Sequence, residues 1–160
     1  KLINLPEEST LINFLYIDDD PHNLSSFKAV FRRQFNVFLA ESAKEAWQIL
    51  KQEEIHVIIS DQRMPSMTGI EFFESILPEF PLPVRILLTG YADISAVVDA
   101  INRGQVYKYF SKPWEEKELK DNIEMAYSHY LKVKQEKEMN EKLMDVNDKM
   151  EFLLRQKLLS

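Results

Sequence analysis

The chain has 160 residues, a formal net charge of −6 at pH 7, 45% hydrophobic residues and no cysteine. That hydrophobic content suits a well-cored globule and argues against disorder. The missing thiols exclude disulfides and thiolate metal sites, and an acidic chain without a basic stripe is a poor prospect for direct nucleic-acid binding. No apolar run approaches the roughly 20 residues that cross a bilayer and no export signal is visible, so the expectation is a cytoplasmic chain with no membrane contact.

In chain order, residues 1–10 read as a polar lead-in broken by Pro6. Leu11–Ile17 is an almost continuous apolar run halted by Asp18, Asp19 and Asp20, the pattern of a strand buried on both faces. Asp20 can cap a helix opened by Pro21, with Leu24, Phe27 and Phe31 at helical spacing. Asn36–Ala40 is a short second strand. Ser42 and Glu45 then have the spacing of a capping box ahead of Ala46, Ile49 and Leu50. Ile55–Ser60 is a third buried strand that ends at Asp61, and the Pro- and Gly-containing segment 62–69 is a loop. Ile70, Phe73 and Leu77 mark a helix that Pro78 stops. Val84–Thr89 is the fourth strand, Ala92–Arg103 a helix with Gly104 at its end, and Val106–Phe110 the fifth strand, closed by Lys112 and Pro113. From Glu115 to about Leu159 there is neither Gly nor Pro, which reads as one long helix.

Five strands alternating with helices predict an α/β fold with a five-stranded parallel sheet covered on both faces. In such sheets ligands bind beyond the carboxyl ends of the strands. Those ends carry Asp18 and Asp19 after the first strand, Asp61 after the third, Thr89 after the fourth and Lys112 after the fifth. Crowded carboxylates raise one another's pKa values, and a hard divalent cation relieves the conflict. One carboxylate is then available as a nucleophile toward phosphorus, with Lys112 and Thr89 placed to meet phosphoryl oxygens and Gly90 leaving space beside the acceptor. Each residue alone reads equally well as a helix cap or a packing side chain; their joint placement at strand ends singles them out. His22, His56 and His129 lack metal-ligand spacing and read as surface or packing residues. Trp114 reads as an anchor for the last helix, Met64 and Met67 as packing in the acceptor loop, and Tyr107 as structural.

The fragments YIDDD (16–20), SDQRMPSMTG (60–69), LLTGYA (87–92) and YFSKPW (109–114) resemble, in order and spacing, the receiver domain of two-component response regulators over roughly residues 11–130. The resemblance implies the flavodoxin-like strand order 2-1-3-4-5 and an Asp61 that accepts a phosphoryl group from a histidine kinase or phosphotransfer protein. It implies Mg²⁺ held by Asp19 directly, by Asp18 mainly through water, by Asp61 and by the backbone carbonyl of Arg63. It makes Thr89 and Tyr109 a switch pair and Lys112 the phosphoryl's counter-ion, with Lys112–Pro113 cis. Such a domain is not an enzyme, although it assists its own phosphotransfer and dephosphorylation. Arg63 and Tyr91, both large, flank the acceptor and are expected to shield the acyl phosphate from water.

Beyond Tyr130 the expectation is a helical segment, residues 131–160. Met139, Leu143, Val146, Met150 and Leu153 follow the 4-3-4-3 spacing of a heptad seam, suited to a homodimer that passes the receiver's state onward. The helical pattern still running at Ser160 leads to an expected output domain beyond residue 160. The wording of the motifs is similar to receivers of HD-GYP phosphodiesterases, which makes that output one related to cyclic-di-GMP. The competing readings are an Asp-nucleophile phosphatase-like enzyme, a flavodoxin-like cofactor binder and a purely structural coiled-coil domain. Arg63 stands where such a phosphatase usually has an acid, and the acidic residues 18–20 would repel a cofactor phosphate.

Overall fold

Each central strand divides its side chains between two faces, and the two hydrophobic cores follow from that period of two. The computed structural model describes residues 11–159, so the lead-in at residues 1–10 lies outside the described residues. In chain order it contains β1 (Asn13–Ile17), α1 (Pro21–Phe31), β2 (Asn36–Ala40), α2 (Ala43–Gln52), β3 (Val57–Asp61), α3 (Gly69–Ile76), β4 (Val84–Thr89), a 3-10 turn (Tyr91–Asp93), α4 (Ile94–Asn102), β5 (Lys108–Ser111) and α5 (Glu116–Leu159). The strands are all parallel and lie in the order β2-β1-β3-β4-β5, as expected. The strand boundaries shift by one or two residues from the sequence reading, within ordinary end variation. The shift at β3 places Asp61 inside the ladder, opposite Leu88.

Phe14 and Tyr16 of β1, Val57 and Ile59 of β3, and Val84, Ile86 and Leu88 of β4 face α1 and α5. Leu15, Ile17, Ile58 and Leu87 face α2, α3 and α4. The first core is aromatic: Phe27 stacks on Tyr16 at 4.0 Å between centroids and meets Phe14 edge-on at 5.5 Å. Trp114 lies 5.2 Å from Phe27 and 5.5 Å from Phe31, and so anchors the chain just before α5. Met64 and Met67 pack against the second core.

The starts of α1 and α2 follow the capping logic with one change. Asp20 Oδ1 accepts from the His22 amide, and Ser42 Oγ from the Glu45 amide at 3.2 Å. The Glu45 carboxylate, however, accepts from the Glu41 amide at 2.8 Å, one residue outside the cap, so the expected reciprocal box does not close at α2. It closes at α3, where Thr68 and Glu71 exchange side chain-to-amide bonds. Gly104, just past α4, has φ 76°, a left-handed conformation that favours glycine.

The long helix leaves the domain through a polar contact at the amino-terminal end of the sheet. Glu54 Oε1 accepts from Tyr130 Oη at 3.0 Å and from Lys134 Nζ at 3.2 Å. Beside it, buried His56 uses Nδ1 to accept the Asn13 amide at 3.0 Å and packs edge-on against Tyr127 and Tyr130. Burial pushes the His56 pKa below its usual value, while Tyr130 and Lys134 hold the Glu54 carboxyl below its own. Tyr130 is the last buried residue of α5, and every described residue from 135 onward is exposed. Among the described residues no helix is long and apolar enough to cross a membrane.

Candidate functional site

Parallel register brings the acidic groups together. Ile17 pairs with Ser60, so one step further along both strands Asp18 comes level with Asp61. Oxygens of Asp18, Asp19 and Asp61 lie within 4.8 Å of one another. Asp18 and Asp61 are buried and Asp19 is exposed. Lys112, delivered by the end of β5, places Nζ 2.8 Å from Asp61 Oδ1. The Lys112–Pro113 bond is cis, as expected. Burial raises the Asp61 pKa, against the pull of Lys112 and of the Arg63 amide, and the nearby Asp18 charge adds to the rise. Three carboxylates facing one ammonium leave net negative charge in a half-closed site. An all-oxygen donor set of this kind fits a hard divalent cation such as Mg²⁺.

Asp18 is largely occupied. Its Oδ2 accepts from Tyr16 Oη at 2.6 Å and from Asn23 Nδ2 at 3.1 Å, and its Oδ1 from the Asp20 amide at 2.9 Å. Burial and this hydrogen bond push the Tyr16 phenol well above its usual range, so it remains a donor. The sequence reading missed Tyr16 and Asn23. The signal for Tyr16 was present, two residues before Asp18 on the same strand face.

The acceptor loop is held by backbone contacts. The Gly69 amide donates to the Gln62 carbonyl at 3.0 Å, and buried Gln62 uses Oε1 to accept the Ile70 amide at 3.1 Å. A Cβ on Gly69 would lie 2.6 Å from Leu87 Cδ2 and 2.7 Å from the Asp61 carbonyl oxygen. Glycine is required there because α3 starts in contact with the acceptor strand.

Thr89 is buried at the end of β4, and its Oγ1 donates to the Gly90 carbonyl at 3.2 Å. Tyr109 is partly buried against the second core. Tyr107 is exposed and stacks on His129 with centroids 4.8 Å apart. Asp61, Arg63, Gly90, Asp93 and Lys112 line a hollow of about 320 Å³ beside the acceptor. The Arg63 guanidinium is exposed and turned across this hollow to Asp93, with Nε 2.9 Å from Oδ2. Asp93 did not stand out in the sequence. The side chain of Tyr91 lies outside the described residues. The seam residues Met139, Leu143, Val146, Met150 and Leu153 are each 52–64% exposed on the C-terminal part of α5.

A family model described as the response regulator receiver domain matches residues 14–124. The hydrogenase transcriptional regulatory protein HoxA of Bradyrhizobium diazoefficiens is 30% identical over 116 residues, which is 72% of this chain and 24% of HoxA. The DNA-binding transcriptional regulator NtrC of Proteus hauseri is 32% identical over 137 residues, 85% of this chain and 29% of NtrC. The chain thus spans about a quarter of the length of the curated relatives it matches. Among solved structures, one described as adenylate cyclase from Rhodopirellula baltica is 31% identical with a TM-score of 0.78, covering 81% of this chain and 97% of that one. The signal receiver domain of an HD domain-containing protein from Pseudomonas fluorescens is 28% identical with a TM-score of 0.74, covering 83% and 98%.

Proposed function

The chain belongs to the response regulator receiver family of two-component signalling, and from that premise we propose that Asp61 is its phosphoryl acceptor and that Asp18, Asp19, Asp61 and the Arg63 carbonyl hold Mg²⁺. The observation that carries this reading is the meeting of three carboxylates within 4.8 Å beside the Lys112–Asp61 pair. When bound, the cation neutralises the crowded carboxylates and the charge that builds on the transferring group. Asp61 supplies the nucleophilic oxygen: its bond to phosphorus forms as the bond from phosphorus to the kinase histidine nitrogen breaks, and the imidazole leaves with a proton taken from solvent. Lys112 moves from pairing Asp61 to pairing a phosphoryl oxygen. Asp18, its oxygens occupied by Tyr16, Asn23 and the Asp20 amide, acts through water rather than as a full ligand. The chain takes the phosphoryl group and assists its transfer and loss, but turns over no separate substrate.

Thr89 and Tyr109 form the switch in this proposal. The Thr89 hydroxyl, which donates to the neighbouring Gly90 carbonyl, turns toward phosphoryl oxygens, and Tyr109 follows into the space it leaves. Arg63 and Tyr91 flank the acyl phosphate and slow its hydrolysis. Residues 11–130 form the receiver and 131–160 an output helix that pairs with a second copy. Two features support a parallel pair. At about 100° per residue the seam of Met139, Leu143, Val146, Met150 and Leu153 lies on the opposite side of α5 from the face packed on the sheet. An antiparallel pair would also bring the flanking Lys142 and Lys149 of the two copies face to face, whereas a parallel pair sets them against Asn147 and Leu154. For the output beyond residue 160, the similarity to a receiver from an HD domain-containing protein favours a cyclic-di-GMP-related domain. Incubation with labelled acetyl phosphate and Mg²⁺ tests the core of the reading. Label that is acid-stable, base-labile and absent from Asp61→Asn supports it, and label that persists in Asp61→Asn refutes it.

A further inference from the structure

Three helices that follow strands begin with a side-chain cap on an extended residue. Asp20, Ser42 and Thr68 have ψ of 113°, 163° and 162°, and each accepts an amide of the first turn. Asp93 holds the same position before α4 and is among the residue types favoured there. It makes no cap hydrogen bond, and its φ of −106° and ψ of 2° belong to the preceding 3-10 turn. Its carboxylate is committed elsewhere: Oδ2 accepts from Arg63 Nε at 2.9 Å, with a looser contact from the second guanidinium nitrogen to Oδ1 at 3.4 Å. Arg63 in turn stands two residues past Asp61, donates its backbone amide to the Asp61 carboxylate, and lines the same hollow as Asp61 and Lys112. The ion pair therefore straps the lip after β3 to the lip after β4 across the mouth of the acceptor hollow.

We infer that the Arg63–Asp93 pair is a charge-exchange relay: phosphorylation of Asp61 draws the Arg63 guanidinium onto the phosphoryl oxygens and releases Asp93 to cap α4. The inference rests on the phosphoryl-acceptor reading of Asp61 and adds a second line of output beside Thr89 and Tyr109. The direction of exchange follows from charge. The Arg63 side chain is 74% exposed, and exposed pairs of this kind are weakly held. A phosphoryl group brings roughly −1.5 to −2 of charge and three acceptor oxygens, to which the planar guanidinium fork is well matched. No charge is left without a partner in either state. Before phosphorylation Arg63 has Asp93; afterwards Arg63 has the phosphoryl group, and Asp93 has the first-turn amides of Ser95 and Ala96 at the positive end of α4. Capping requires ψ at Asp93 to open from 2° toward the extended values of the other three caps. The phosphoryl state of Asp61 thereby reaches the start of α4, the helix that presents exposed Val98 to solvent.

Amide hydrogen exchange across residues 94–97, expressed as protection factors, tests this with and without acetyl phosphate and Mg²⁺. Without the donor, Arg63→Ala and Asp93→Asn should each slow exchange of the Ser95 and Ala96 amides about fivefold relative to wild type, the fold-change that one cap produces. Asp93→Ala, which can neither pair nor cap, should not. With the donor, wild type should gain the same slowing and Asp93→Ala should not. Unchanged exchange in donor-free Arg63→Ala overturns the relay, as does a wild-type chain that carries the Asp61 adduct without slowing. A wild-type chain that takes no adduct overturns the acceptor reading itself, and the donor-free arm tells the two failures apart.

Discussion

The two halves of α5 share a helix and little else. From Glu116 to Tyr130 the helix buries Leu119, Ile123, Ala126 and Tyr130 against an aromatic core, and its place is set by the sheet. From residue 135 to Leu159 every described residue is exposed, and apolar side chains such as Leu143, Phe152 and Leu158 are more than half exposed. Local helix propensity is similar in both halves, with no Gly or Pro in either, but an isolated helix in water is marginal without a packed face. The first half therefore owes its stability to the receiver. The second owes nothing to that core, and in the proposed homodimer its seam is what would be buried. Between them sits the Glu54–Tyr130–Lys134 contact, where the domain grips the helix as it leaves.

Substitutions that act on only one half separate the two most clearly. Ile123→Ala should cost the receiver about 2–5 kcal/mol in denaturant unfolding, because it opens a cavity in a fully packed layer. Leu143→Ala should leave that transition within about 0.5 kcal/mol of wild type and instead shift sedimentation toward monomer. Equal effects on receiver unfolding would mean that the halves are not independent. Gly69→Ala should cost about 1–3 kcal/mol, since its methyl group would press on Leu87 and the Asp61 carbonyl. It should also slow phosphoryl uptake from acetyl phosphate, which a purely structural glycine would not. At the junction, Tyr130→Phe removes one hydrogen bond to a well-exposed carboxylate and should cost about 0.5–1 kcal/mol, with protease sensitivity rising around residues 131–135.

The smallest effect is in pH. Burial and the Asn13 amide favour neutral His56, so its folded pKa lies below the ordinary 6.5. The stability it contributes is present in full above about 6.5 and is lost as pH falls from there through the folded value, because the unfolded chain takes up the proton first. Urea midpoints should therefore drop below pH 6.5 more steeply in wild type than in His56→Gln.

The sheet was legible because apolar runs ended abruptly at charges, as at Ile17 before Asp18 and at Ser60 before Asp61. The acidic cluster was legible because parallel strands align their carboxyl ends, so residues distant in sequence could be placed together. Partners fixed by side-chain reach were not. Nothing in the spacing shows that Glu45 bonds the Glu41 amide, that Asn23 folds back onto Asp18, or that Asp93 forgoes its helix for Arg63. Each depends on rotamers and loop geometry rather than on period. Tyr130 was read as the end of the receiver from its place in the pattern, but its bond to Glu54, 76 residues earlier, needed the folded chain.

Intact mass after incubation with acetyl phosphate, in Mg²⁺ and in EDTA, reads phosphoryl transfer to the chain itself. A gain of about 80 Da, one PO₃ unit, should appear in Mg²⁺, fade in EDTA and be lost after mild base. No gain in Mg²⁺, or an equal gain in both conditions, would contradict Mg²⁺-assisted transfer to Asp61.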